Sequence, residues 1–490
     1  FPGAPPVGLA VAGLYGAALA GITCGSVVLF LASLPWVYHE AYAWAIPMAI
    51  GAAYAALGLL HAPSTRRVVT CGLFVLGAVL CRAPAGWASA GGLLLVAVWL
   101  FRRGGHDRAL WWKAALAAAV PLGIGIAINW AKFRHPYMFP LEDQGWTAVS
   151  AHRREALAAN GGAPVSADIF LSTPLNYFRP TGLRFISIFP FITLPAEVAQ
   201  SYGGGFLDQV YRTGSVPSFM PLLFGLTVWG LVALVRNRTT RLAVVPFLAA
   251  AAISGASMFY GYLAYRYTSE FVPGLAVGSA IGVTDIARRL DGASRRRRLA
   301  TVAVVASVAA FGLAANGAAA FLTARTSAPG PALRDLFIYQ QKLSDLTGHP
   351  MDDWVRVADD LPRFGAAERV QVVGDCDAVY LGTGDPLDPW VMVEAREASI
   401  GIEVVESRHR AATDFTDLVR VTVRAGGEEV EVSGTTIGPD GRRFLSSAAS
   451  FDIAVRMQRA FTDINAEQQG PLIAQAKKIA QETPYTKEDV

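Results

Sequence analysis

Ser294-Arg295-Arg296-Arg297-Arg298 runs directly into Leu299-Ala300-Thr301-Val302-Ala303-Val304-Val305-Ala306-Ser307-Val308-Ala309-Ala310-Phe311-Gly312-Leu313-Ala314-Ala315-Asn316-Gly317-Ala318-Ala319-Ala320-Phe321-Leu322-Thr323. The stretch after the arginines carries no charge over 299–323. A helix rising about 1.5 Å per residue crosses a hydrocarbon layer of about 30 Å with about 20 apolar residues, so this run is long enough. Four arginines at one end of such a helix mark its cytoplasmic side. The fold then depends on how often the pattern recurs.

Apolar runs near bilayer length occur at 7–34, 39–61, 67–81, 85–101, 110–130, 217–235, 242–264, 270–286 and 299–323. Arginines punctuate alternate connections: Arg66 and Arg67; Arg102, Arg103 and Arg108; Arg236, Arg238 and Arg241; then Arg288, Arg289 and Arg295 to Arg298. The short connections between them hold only Arg82 and Arg266. The pattern predicts a mostly α, polytopic protein of the plasma (inner) membrane with about nine transmembrane helices. Counted from a cytoplasmic start, nine crossings place the chain beyond 323 outside. Runs 67–81 and 270–286 are short or interrupted, so one such pair is also open to a re-entrant reading.

Composition agrees with this partition. Of 490 residues, 53% are hydrophobic and only 16% charged, against about 25% in soluble domains, and mean hydropathy is +0.37. Residues 1–330 hold 25 Lys/Arg against 11 Asp/Glu, net +14, whereas 331–490 hold 17 against 27, net −10. A basic, apolar domain at 1–330 is thus followed by an acidic, polar one. The cations sit beside apolar spans, which argues against nucleic acid as a partner and for a lipid bilayer. Cys24, Cys71 and Cys81 lie in apolar runs and Cys376 stands alone, so neither a disulfide framework nor a zinc site is expected. The chain begins at Phe1 without a basic n-region, and the reading expects that an N-terminal piece of the natural protein precedes it.

Two parts are expected outside. The long loop 131–216 contains a predicted helix over 147–159, ended by Asn160-Gly161-Gly162. It also contains the apolar run 183–192, too short to span and read as interfacial or re-entrant. Residues 331–456 read as an α+β or β-sandwich-like domain. Its first part, 331–362, looks helical, and strands follow at 369–373, 390–393, 400–405, 418–423 and 429–432. The tail 457–490 reads as polar, helical or disordered.

No GxxxxGK[ST], GxSxG or HExxH string is present, which removes the best evidence for nucleotide hydrolysis, serine-hydrolase or zincin chemistry. Gly274, Gly278 and Gly282 form a GxxxGxxxG run suited to close helix packing. The chemically informative residues are charges and aromatics at the arginine-poor ends of spans: His39 and Glu40, Arg82, and Tyr265-Arg266 with Glu270. A charge at mid-membrane costs about 2.5–3.5 kcal/mol even on insertion scales. Three such mouths in one bundle therefore suggest a shared polar cavity. Arg82 and Arg266 are the candidates for a lipid-linked phosphate, supported by Tyr265, Glu270 and Arg184. The plainer alternative has Arg82 snorkelling to headgroups and Arg266 pairing with Glu270 at a helix end. Glu40 and His39 are the candidate bases, and Glu40 equally suits a helix start. Glu142, Asp143 and His152 are candidates for contacting an acceptor. Trp390 and Tyr380 are candidates for stacking on a glycan. Asp375, Asp377, Asp385 and Asp388 are the oxygens for a divalent cation (Ca, Mg or Mn), with ordinary β-turns the alternative.

The strings Tyr38-His39-Glu40-Ala41, Cys81-Arg82-Ala83-Pro84 and Tyr265-Arg266-Tyr267 to Pro273, with many spans and a C-terminal outer domain, resemble the GT-C superfamily of integral-membrane glycosyltransferases, actinobacterial members in particular. The resemblance covers roughly 7–323. It implies a polyprenyl-phosphate sugar donor, transfer on the outer face to a cell-envelope glycan or lipid, and a catalytic Asp in the first outer loop. Residues 35–38 are only a turn, so that loop is expected upstream of Phe1. The expected function is thus a membrane glycosyltransferase of the cell envelope. A lipid-linked-glycan transporter or flippase, and a non-catalytic scaffold binding wall glycan, are the alternatives; a membrane-protein partner suits the last.

Overall fold

The computed structural model describes residues 8–33, 37–136, most of 157–207, all of 213–327, a few positions between 339 and 347, and strand segments between 369 and 435. The predicted helix over 331–362 lies almost wholly outside the described residues, and the tail 457–490 does so entirely.

The first apolar run is broken. Helix α1 (Leu9–Thr23) stops before Gly25, and α2 (Val27–Ala32) starts after Ser26, whose hydroxyl donates back to the Ile22 carbonyl (2.6 Å) and accepts from the Val28 amide (3.2 Å). Next come α3 (Val37–His61), α4 (Thr65–Cys81), α5 (Ala83–Arg103) and α6 (Trp111–Phe133). Ser64 caps α4 by accepting from the Arg67 amide (3.3 Å), and Arg67 reaches back to the carbonyls of Gly58 (2.9 Å) and Ala62 at the end of α3. Helices α4 and α5 meet at one residue, Arg82, whose extended backbone ends the first helix while Pro84 starts the second.

After the long loop, with its short helix α7 (Ser172–Tyr177), come α8 (Val216–Phe219), α9 (Pro221–Arg236), α10 (Val244–Ala252), α11 (Gly255–Met258), a 3-10 turn over Tyr265–Phe271, α12 (Val272–Leu290) and α13 (Arg295–Ser327). Among the described residues, five helical segments are long and apolar enough to cross a membrane: Val37–His61, Ala83–Arg103, Arg108–Phe133, Tyr265–Leu290 and Arg295–Leu322. Ala10–Thr23, Pro221–Arg236 and Thr240–Ala252 are apolar but shorter.

The glycine run sets the closest helix contact. A Cβ on Gly282 would run into the Leu226 carbonyl, and one on Gly230 into that of Gly278. The backbones of α9 and α12 therefore touch, which only glycine permits. Thr227 Oγ1 donates to the Leu275 carbonyl (2.9 Å) and Ser279 Oγ to that of Leu223 (3.0 Å), locking the pair.

In the run 183–192, read as interfacial or re-entrant, Arg184–Phe185 (β1) pairs antiparallel with Ile192–Thr193 (β2), and Phe189 packs on Phe321 of α13. Beyond 369, Asp377, Asp385 and Asp388 of the segments read as acidic turns belong to strands that flank Pro386-Leu387, and Asp375 lies outside the described residues. Arg369–Val370 (β3), Cys376–Asp385 (β4) and Asp388–Ala395 (β5) form one antiparallel sheet. Ile402–Arg410 (β6), Leu418–Ala425 (β7) and Glu428–Thr435 (β8) form another. Two residues, Pro386-Leu387 and Gly426-Gly427, separate the strands of each hairpin.

Candidate functional site

Arg82 and Glu270 meet at the end of the bundle opposite the Arg-rich connections. Extended backbone at the α4–α5 joint carries the guanidinium inward, where Nε (3.0 Å) and Nη2 both donate to Glu270 Oε1. Ser257 of α11 donates to the other oxygen, Oε2. Glu270 is 3% exposed, and burial at this depth is tolerable because both of its oxygens are satisfied. Glu270, which the plainer alternative paired with Arg266 at a helix end, pairs with Arg82. The reason is geometric: the 3-10 turn over 265–271 presents Glu270 to the neighbouring joint.

Aromatic rings line both arginines. Arg82 Cζ lies 3.8 Å over the Tyr42 ring of α3. Arg266 Cζ lies 5.1 Å from the Tyr267 centroid and 5.8 Å from that of Tyr262. Tyr42 and Tyr267 meet edge to face at 5.9 Å, and Tyr260 packs on Tyr267 at 5.6 Å. One continuous cluster therefore contains both guanidiniums, the carboxylate and a set of phenols.

The long loop forms one wall. Val165 bridges Tyr260, the Ser166 amide donates to the Phe259 carbonyl (3.1 Å), and the Gly261 amide donates to that of Pro164 (2.8 Å). Thr173 Oγ1 donates to the Met258 carbonyl, and Phe170 stacks on Phe259 at 4.7 Å. These contacts bring α7 and its Tyr177 against Phe271 (5.4 Å). Tyr177 is fully buried, and its phenol is held well above its ordinary pKa by burial, then by Tyr267 and Glu270 nearby. It stays a neutral donor.

The remaining candidates are dispersed. His39 is 1% exposed against Phe30 (5.3 Å), whereas Glu40, one residue on, faces outward. Tyr265 is not at the charged cluster. Its hydroxyl donates to Asn316 Oδ1 (2.7 Å) in the core, and its ring meets Phe30 and Phe219. Arg184 is exposed on β1 opposite Thr193. Tyr380 stands opposite Met392 and Trp390 opposite Gly382, two register positions apart. Asp385 pairs with Asp388 at the hairpin end, and Asp377 falls at a register shift in β4. Glu142, Asp143, His152 and Asp375 lie outside the described residues. Among the described residues, no group of three or more His, Cys, Asp or Glu is placed to hold a metal.

Sequence reasoning passed over Tyr42, Tyr177, Ser257 and Tyr267. The signal available was the aromatic density of Tyr260-Gly261-Tyr262 and Tyr265-Arg266-Tyr267 inside an apolar stretch. A further polar group closes the opposite end of the bundle. There Asp285 accepts from Trp229 Nε1 (3.0 Å), Asn237 Nδ2 (2.8 Å) and Arg289 Nε (2.7 Å). No family model, curated protein or solved structure matches the chain.

Proposed function

We propose that this chain is a multi-pass envelope-membrane glycosyltransferase that takes its sugar from a polyprenyl phosphate on the outer face. The observation that carries this reading is the gathering of Arg82 and Arg266, from distant parts of the sequence, into one tyrosine-lined cluster at the arginine-poor end of the bundle. An anion at this mouth would gain charge-assisted hydrogen bonds from guanidinium in a low-dielectric setting, and Arg82 keeps part of its side chain exposed there beside Glu270. A lipid phosphate suits this place because its tail stays in the bilayer while its head reaches the mouth. In the reaction an acceptor hydroxyl attacks the anomeric carbon, its proton passes to a base, and the bond to the lipid phosphate breaks. The arginines stabilise the departing charge. Both Glu270 oxygens are engaged by Arg82 and Ser257, so Glu270 is read as holding Arg82 in place and not as the base.

The same reading keeps nine crossings, with the three shorter apolar helices and α4 completing the five long ones, and an outer C-terminal domain in which the two three-stranded sheets close as a sandwich. That domain would bind envelope glycan through Trp390 or Tyr380. The test is incubation of the protein, reconstituted in proteoliposomes, with polyprenyl-phosphate pentoses and hexoses and envelope acceptors. Sugar transfer with release of polyprenyl phosphate, lost in Arg82→Gln and Arg266→Gln, is expected. Movement of intact lipid-linked sugar across the bilayer without transfer would replace the enzyme with a transporter.

A further inference from the structure

Tyr42 and Tyr177 are, respectively, 3% and 0% exposed, and neither hydroxyl has a hydrogen-bond partner. Both sit at the charged cluster. Tyr42 lies under Arg82 and meets Tyr267 edge to face, and Tyr177 packs on Phe271, the residue after Glu270. A buried hydroxyl left unpaired is a standing cost, so two at one place call for an occupant. The chemistry of that occupant follows from what is already used. Both Glu270 oxygens are already engaged, Oε1 by Arg82 and Oε2 by Ser257. What stays on offer is three donors, the two phenol O–H groups and the Nη1 edge of Arg82, whose side chain is 26% exposed. A phenol oxygen also accepts, so a sugar hydroxyl is not shut out. A phosphoryl oxygen uses all three donors at once, and its charge suits the guanidinium.

We propose that the Tyr42 and Tyr177 hydroxyls are the neutral donors of an oxyanion subsite that receives phosphoryl oxygens beside Arg82. This rests on the reading of the cluster as a phosphate site, and it adds which residues donate to the head group. Removing either hydroxyl leaves ring packing intact, since each phenol makes its contacts through the ring. Tyr42→Phe and Tyr177→Phe therefore separate binding from folding, which Arg82 variants do not.

The experiment uses the full chain in lipid nanodiscs, with binding measured for undecaprenyl phosphate, for undecaprenol and for inorganic phosphate as competitor. Undecaprenyl phosphate is expected to bind the wild type and undecaprenol not. Tyr42→Phe and Tyr177→Phe should each weaken binding about tenfold, while ligand-free thermal stability holds or rises. Competition by inorganic phosphate would mean that the anion alone is read, and its absence that the lipid is read too; either supports the subsite. Unchanged affinity in both Phe variants alongside a loss in Arg82→Gln would overturn the subsite and leave the wider reading standing. Equal binding of undecaprenol, or no binding by the wild type, would overturn both. A drop in ligand-free stability of the Phe variants would show that the hydroxyls have partners and would also overturn the subsite.

Discussion

Asn316 sits in the interior of the 33-residue α13, fully buried, with every polar atom used. Its Nδ2 donates to the carbonyls of Phe219 (2.7 Å) and Gly312 (2.9 Å), and its Oδ1 accepts from Tyr265. One amide thus ties α13 to α8 and to the 3-10 turn that carries Arg266 and Glu270. Tyr265→Phe leaves Oδ1 unpaired and should cost about 1–3 kcal/mol, read as a lower melting temperature in detergent. Asn316→Leu strands the phenol and should cost a similar amount. The double variant should lose less than the two single losses added, because each removes the other's orphan. Neither change touches Arg82, so affinity for a lipid phosphate should hold in the folded fraction; a selective loss of affinity in Tyr265→Phe would return Tyr265 to the site. The sequence reading placed Tyr265 there because it adjoins Arg266. A 3-10 turn sends adjacent residues in different directions, and neighbours in sequence part company in space. Arg82 was legible for the opposite reason: a lone cation between two apolar runs has few places to go.

At the scale of elements, glycine spacing was the most transferable signal. Gly278 and Gly282 were expected to pack a helix closely, and they do so on Gly230, Leu226 and Thr227 of α9, while Gly274 faces Ala251 of α10. Gly282→Ala should therefore cost about 1–3 kcal/mol, because the obstacle is backbone that cannot move aside. Gly225, on the same helix as Gly230, has open space around it and provides the control. Gly225→Ala should be neutral or stabilising by up to about 1 kcal/mol through helix propensity. Equal losses at the two positions would mean that the close contact contributes nothing. Helix existence was legible because apolar length and arginine punctuation act over many residues. Breaks were not. The α1–α2 interruption depends on one serine bonding backward and forward, and the α10–α11 interruption on the Ser254 hydroxyl donating to the Ala251 carbonyl (2.8 Å). A short polar side chain does this in some contexts and not in others. Aromatic density was visible within 260–267, but its meeting with α3 and the long loop was not, since these converge only in the folded bundle.

For the whole molecule, helix direction carries the remaining inference. Helix α3 runs from Tyr42 to the Arg66–Arg67 connection, α4 returns to Arg82, and α5 runs to Arg102–Arg103, so the charged cluster and the Arg-rich joints lie at opposite ends. Helix α12 repeats this polarity, starting beside Glu270 and ending at Arg288–Arg289. The Asp285 lock with Trp229, Asn237 and Arg289 sits at its basic end. If arginine bias sets orientation, the Ser294 joint is cytoplasmic, the Arg82–Glu270 cluster is outside, and α13 delivers the C-terminal residues to the outside. In a chain with its native cysteines replaced, Ser294→Cys should resist a membrane-impermeant thiol reagent in intact cells and react after permeabilisation. A tag placed after Val490 should be reached by antibody without permeabilisation. The two probes bracket α13, so labelling at Ser294 with a hidden tag would invert the bundle and turn the Arg82–Glu270 cluster toward the cytoplasm. Protection of both would instead mean that α13 does not cross, and the acidic C-terminal residues would then have to be placed on the inner side.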